Sequence, residues 1–267
     1  MVSMLPLQAA GRIEVHGHRG ARAIFPENTL PAFEYAIAQG VDVLELDMAV
    51  TKDNVVVVSH DPILAAPFCT GPKDGAHIRD LTLAEVRKYD CGARQNPRFT
   101  AQQIRPGTRM PTLDEVFALA SKGTFRFNIE TKITPTEPTL TPSPEEFAKL
   151  VLAVIRKHKL ESRVILQSFD FRTLHAMKRL APEIKLAALY EGTPRPFVEI
   201  AKEAGAPIIS PNYSLVTAEQ VRAAHAAGIQ VIPWTPNTVP EWDALIQAGV
   251  DAIITDDPAS LIAHLRK

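Results

Sequence analysis

Cysteine is nearly missing from this chain: Cys69 and Cys91 are the only two among 267 residues. At most one disulfide is therefore available, and two readings of the pair stand side by side. They are reduced thiols, the default for a cytosolic enzyme. Alternatively they close one long loop, which would stabilise by roughly 3 kcal/mol in the chain-entropy model. A surplus of charge is missing too. The 29 Lys and Arg stand against 30 Asp and Glu, so there is no electrostatic footprint for nucleic acid. No stretch of about 20 apolar residues occurs, which argues against a transmembrane segment. Met1–Gly11 is too short for a charged region, an apolar region and a cleavage site. As it stands the chain reads as cytoplasmic, or as periplasmic or secreted if a signal peptide has been removed.

What is present is a rhythm. Short β-rich runs at 13–17, 41–47, 125–131, 163–168, 185–190, 207–210, 229–233 and 251–255 alternate with helical patterns. Thr29 or Asn28 caps a helix to Gln39, with Gly40 after it. Thr112-Leu-Asp-Glu115 has capping-box spacing. Further helices are expected near 144–158, 170–180, 196–204, 217–227, 238–248 and 258–266. Eight strands alternating with helices point to an α/β fold with a parallel sheet. No Gly-rich nucleotide loop follows the first strand, so a closed (β/α)8 TIM barrel fits better than an open doubly wound sheet. One domain, 12–267, accounts for the length.

One segment breaks the rhythm. Val55–Val58 reads as an additional strand, paired in a hairpin with the end of the second strand. From 62 to 111 the chain is rich in Pro, Gly and polar residues, with one short helix near 82–88. Long loops in compact domains are usually functional. This one is expected to be an inserted cap or lid over the barrel mouth, between the second and third barrel strands.

The chemistry sits on alternate positions. Asn128, Glu130 and Lys132 share one face of the third strand, while Phe125, Phe127 and Ile129 hold the other. Glu45 and Asp47 share a face of the second strand. Polar groups cost free energy to desolvate without partners, so these residues look aimed at one place. Strand ends converge on one mouth in a barrel, and there the first strand adds His18 and Arg19, the extra strand His60. Glu45, Asp47 and Glu130 form an all-oxygen set suited to one divalent cation, Mg²⁺, Ca²⁺ or Mn²⁺. The competing reading is that these acids simply pair with Arg19, Arg22 and Lys132. His18 and His60 are the expected acid and base. Arg19 and Lys132 supply cations for a phosphate. His16 is expected one layer deeper, in the core. Together these form a kit for cleaving a phosphate ester.

His18-Arg19-Gly20, Pro26-Glu27-Asn28-Thr29, Glu45-Leu46-Asp47 and His60-Asp61 together resemble the signature of the glycerophosphodiester phosphodiesterase family. Asn128–Lys132, Gln167-Ser168-Phe169, Trp234-Thr235-Pro236-Asn237 and Thr255-Asp256-Asp257-Pro258 extend the resemblance, in order, to Pro258. It implies a TIM barrel, metal binding by Glu45, Asp47 and Glu130, catalysis by His18 and His60, and phosphate contacts from Arg19 and Lys132. The implied reaction is hydrolysis of a glycerophosphodiester to an alcohol and glycerol 3-phosphate. Trp234 is expected either to stack on the substrate or to pack in the barrel. Asn128 is expected to orient Glu130, to face the phosphate or, most simply, to take a buried hydrogen-bond role. Glu27 and Asn28 are expected to brace the first loop and cap its helix, and Asp256 and Asp257 to cap the last. Two alternatives remain open. One is a lysophospholipase-D-like activity with Ile63–Phe68 as an acyl channel. The other is a non-catalytic phosphodiester-binding protein. The residues leave head group and oligomeric state open.

Overall fold

The computed structural model describes residues 12–267; Met1–Gly11, read above for an export signal, lies outside the described residues. Eight parallel strands follow one another around the barrel. In chain order they are β1 Glu14–Gly17, β2 Val43–Val50, β3 Arg126–Thr131, β4 Val164–Ser168, β5 Lys185–Tyr190, β6 Ile208–Pro211, β7 Gln230–Val231 and β8 Ala252–Thr255. β1 pairs with both β2 and β8, and each later strand pairs with its predecessor up to β7.

β7 is shorter than the expected 229–233. Pro233 has no N–H to offer a ladder. The gap between β7 and β8 is spanned by single bonds instead: Asp251 N donates to Val231 O and Ile254 N to Pro233 O, each 3.0 Å. The fold is thus the (β/α)8 TIM barrel that the alternation implies.

Two layers of apolar side chains hold it. Leu44, Leu46, Phe127, Ile129 and Leu166 point outward into the layer beneath the helices, with Phe33, Phe117 and Phe147. The opposite parity fills the lumen: Ile165, Ala187, Ile208, Ile232, Ala252 and Ile254 form a separate cluster. His16 lies in the lumen with no exposure and no hydrogen-bond partner on either ring nitrogen. Because both faces are covered, every residue of β2 is buried.

The helices fall where the periodicity places them, from Leu30–Gln39 to Pro258–Leu265. Thr112 and Glu115 form the expected capping box. Thr29 differs: its hydroxyl donates to Pro26 O at 2.5 Å and does not cap the first helix.

Segment 62–111 is more ordered than its composition implies. Val56–Val58 pairs antiparallel with Met48–Val50, as expected. A second hairpin joins Ile63–Leu64 to Ala76–His77, and Leu83–Val86 is a capped helical turn. Cys69 and Cys91 are bonded to each other. Leu64, Ile78, Val86, Tyr89 and Met110 form a small core of their own against Ala49 and Val57. The segment is tied to the turn after β1 by Gln102, whose amide donates to Arg22 O at 2.7 Å.

Candidate active site

The turn after β1 sets the first half of the site. Arg19 and Gly20 both adopt positive φ, 50° and 87°. A Cβ on Gly20 would come within 2.7 Å of the Ala32 backbone, so only glycine fits. The turn delivers the Arg19 N–H to Glu45 Oε2 at 2.9 Å. It also places the Arg19 guanidinium between Glu27, 2.5 Å away, and Asp47, 3.2 Å away. Asn28, also at positive φ, sends its amide to Asp47 Oδ2 at 2.9 Å. Asn28 therefore braces the first loop as expected, its N–H donating to Arg19 O at 3.0 Å, and also holds an acid of the site; it does not cap the helix.

Glu45, Asp47 and Glu130 each turn one oxygen to a common point, and these oxygens lie within 4.8 Å of one another. The register explains this. Glu45 sits beside Asn128 and Asp47 beside Glu130, so neighbouring strands present the same parity at the same height. The cations of the competing reading are present as well: Lys132 Nζ is 2.8 Å from Glu130 and 3.9 Å from Asp47. Pairing and convergence coexist. Burial, then Asp47, pushes the Glu45 carboxyl well above the usual range. Burial also raises Glu130 to about 7, against the opposing pull of Lys132. Asp47 goes the other way: burial is overridden by Arg19, with His60 and Lys132 adding to it, and its carboxyl lies below the usual range. Two of the three acids thus stay short of neutralising charge. A hard divalent cation fits this buried, convergent, all-oxygen set.

Both histidines line the cavity beside these acids. His18 Nδ1 is 2.5 Å from Asp256 Oδ1, and its Nε2 is 4.0 Å from Glu45. Burial lowers His18 to about 4, although Asp256 pulls the other way. The hairpin carries His60 over the end of β2, where Ser59 N donates to Asp47 O at 3.0 Å. His60 Nδ1 is 2.8 Å from Asp61, and its Nε2 accepts from Lys132 Nζ at 3.0 Å. A carboxylate only accepts, so each ring carries a proton on Nδ1, which leaves Nε2 as the atom free to exchange a proton.

Trp234 reconciles its two readings. Its indole N–H is anchored to Ser210 O at 2.9 Å, and it meets Phe169 edge-on at 5.7 Å. It nonetheless lines, with His18, Arg19, Glu45, His60, Glu130 and Lys132, a cavity of about 530 Å³. Asp47 lies beneath that cavity, 1% exposed. Every residue expected at the site is therefore brought together.

Asp256 has another job than the sequence implied, while Asp257 and Asn128 take expected ones. Asp257 caps the last helix, accepting from Ser260 N, whereas Asp256 holds His18 and is itself held by Asn237 at 2.9 Å. The doubled aspartate was the available signal, since one suffices for a cap. Asn128 contacts neither Glu130 nor the cavity; its amide donates to Gln167 Oε1 at 2.9 Å, and Gln167 donates to Glu45 Oε1 at 2.8 Å.

Residues 18–260 match the model of the glycerophosphoryl diester phosphodiesterase family. The chain belongs to that family. A glycerophosphodiester phosphodiesterase of Caldanaerobacter subterraneus is 37% identical over 254 residues, covering 95% of this chain and 98% of that one. A solved structure from Silicibacter pomeroyi, assigned to the glycerophosphoryl diester phosphodiesterases, superposes with a TM-score of 0.88 at 30% identity. It covers 95% of this chain and 93% of its own. An Oleispira antarctica phosphodiesterase, solved with the product sn-glycerol-3-phosphate, gives a TM-score of 0.81 at 25% identity, covering 95% and 97% of the two chains.

Proposed function

We propose that this family member is a divalent-cation-dependent enzyme that hydrolyses glycerophosphodiesters to an alcohol and glycerol 3-phosphate. The observation that carries the reading is the convergence of Glu45, Asp47 and Glu130 at a cavity lined by His18, His60 and Lys132. The product bound by the Oleispira relative supports the substrate class.

Glu45, Asp47 and Glu130 would hold the cation. Bound there, it supplies charge neutralisation for the phosphate and for the attacking hydroxyl. Lys132 and Arg19 line the same cavity as a point charge and a fork for the non-bridging oxygens. His18 and His60 each accept or return a proton at Nε2. The one that is neutral at Nε2 takes a proton from the attacking hydroxyl; the other, starting as an imidazolium held by its carboxylate, gives its Nε2 proton to the departing oxygen. Asp256 and Asp61 stabilise the imidazolium that forms.

A non-catalytic binder would not need two histidines with committed Nδ1 protons at the mouth of the acid cluster. The lysophospholipid alternative loses its expected channel: the slot lined by Ile63, Leu64, Ala65 and Phe68 has room for only about 30 Å³, a water or two.

Steady-state turnover of glycerophosphocholine by the wild type, H18A and H60A tests the roles. Each variant should lose about 10²- to 10⁴-fold in kcat. Wild-type turnover in either one removes that histidine from the chemistry.

A further inference from the structure

Between Asp90 and Asp114 the chain has no acidic residue and four arginines, Arg94, Arg98, Arg105 and Arg109. Among the described residues none of the four forms an ion pair, in contrast to Arg19, Arg22 and Arg87 nearby. Arg98 is the member of this run that lines the active-site cavity, and Arg22 lines it too. Phe99 links them: its ring centre is 5.0 Å from the Arg22 guanidinium and 5.7 Å from that of Arg98.

Arg22 is 7% exposed, yet among the described residues its guanidinium donates no hydrogen bond. Its Nε faces Asp256 at 3.4 Å and Glu27 at 3.7 Å, both beyond good hydrogen-bond length. Arg19 differs, being committed to Glu27 and Asp47. A buried guanidinium N–H without a hydrogen bond is costly, and a second cation brought near it adds repulsion. Burial and the neighbouring Arg19 and Arg98 charges all act to depress the Arg22 pKa, with Asp256 and Glu27 opposing. An anion in the cavity that both arginines line would offset both penalties. The place for it lies beside one of the proposed catalytic histidines: Arg22 faces Asp256, and Asp256 holds His18.

We propose, resting on the phosphodiesterase reading above, that Arg22 and Arg98 form an anion subsite. The favoured substrates are then glycerophosphodiesters whose alcohol carries a further anionic group, such as a phosphate monoester. Segment 62–111 contributes to catalysis through this choice of alcohol, by supplying Arg98.

The test compares kcat/KM for glycerophosphoglycerol and for its terminally phosphorylated analogue in the wild type, R98Q and R98E. Arg98 is exposed and its side chain makes no protein hydrogen bond, so these substitutions spare the fold. The wild type should favour the phosphorylated substrate. R98Q should lower that preference about tenfold, the scale of a hydrogen bond to a charged group, and R98E should lower it further. An equal loss on both substrates would place Arg98 on the scissile phosphate and overturn the subsite. An unaltered ratio, with glycerophosphoglycerol still hydrolysed, would overturn the subsite alone. Turnover of neither substrate by folded wild type would overturn the phosphodiesterase reading and the subsite with it.

Discussion

His18 Nδ1 lies 2.5 Å from a carboxylate oxygen of Asp256, 238 positions away in the chain. The pair closes the ring of strands chemically as well as structurally, because Asp256 follows β8 and His18 follows β1. D256N keeps the shape but loses the charge that steadies an imidazolium, and it can offer the ring the wrong tautomer. We expect kcat to fall by about 10²- to 10⁴-fold with KM little changed. Steady-state kinetics on glycerophosphocholine, with circular dichroism to show retained fold, checks this. A change in KM alone would reduce Asp256 to a brace.

Asn128 and Gln167 hold Glu45 through two amide hydrogen bonds of 2.9 and 2.8 Å. Groups behind a metal ligand fix its direction, and losing one typically costs about 10- to 100-fold in metal affinity. N128A should therefore need about 10- to 100-fold more Mg²⁺, Ca²⁺ or Mn²⁺ to reach the same rise in Tm. Superimposable titrations for N128A and wild type would contradict this.

The Cys69–Cys91 bond closes a loop with a sequence separation of 22 residues. A loop of this size predicts about 3 kcal/mol of stabilisation. The bond staples the segment that carries Arg98, while His18 and the three acids sit on the barrel. The C69S/C91S double variant should lose about that much stability in urea titrations, with turnover of glycerophosphocholine reduced far less. A thiol titration of unfolded, unreduced wild type should find no free thiol.

His16 is fully buried, and burial, followed by the Arg126 charge, holds it down to about 3. Unfolded, it titrates near 6.5. The unfolded chain thus binds more protons in the window between these values. The contribution of His16 to stability is full above pH 6.5 and is lost as pH falls toward 3. Between about pH 7.5 and pH 5, the unfolding free energy of wild type should drop about 2 kcal/mol more than that of H16L. Equal drops would show that His16 is protonated in the folded protein.

The barrel was legible because its strands and helices have distinct periods and because Gly205 and Gly249 end their helices at positive φ. The convergent acidic face was legible because Glu45, Asp47 and Glu130 break an otherwise apolar alternation. Asp256 was not, since a side chain before a helix has the same sequence signature whether it caps or reaches back. The capping role of Asn28 failed for the same reason. The Gln167–Asn128 relay depends on inter-strand register, which periodicity alone does not specify. The internal order of 62–111 was hidden because its core is built from scattered residues, Leu64, Ile78 and Tyr89 among them, and pinned by a disulfide.

The most direct measurement is the release of glycerol 3-phosphate from glycerophosphocholine by protein treated with a chelator and then resupplied with Mg²⁺, Ca²⁺ or Mn²⁺. Loss of product on chelation and its return with at least one of these cations is expected. E45Q, tested alongside, should show neither that recovery nor the cation-induced rise in Tm. Undiminished release of glycerol 3-phosphate after exhaustive chelation would contradict the assignment of Glu45, Asp47 and Glu130 as a catalytic metal centre.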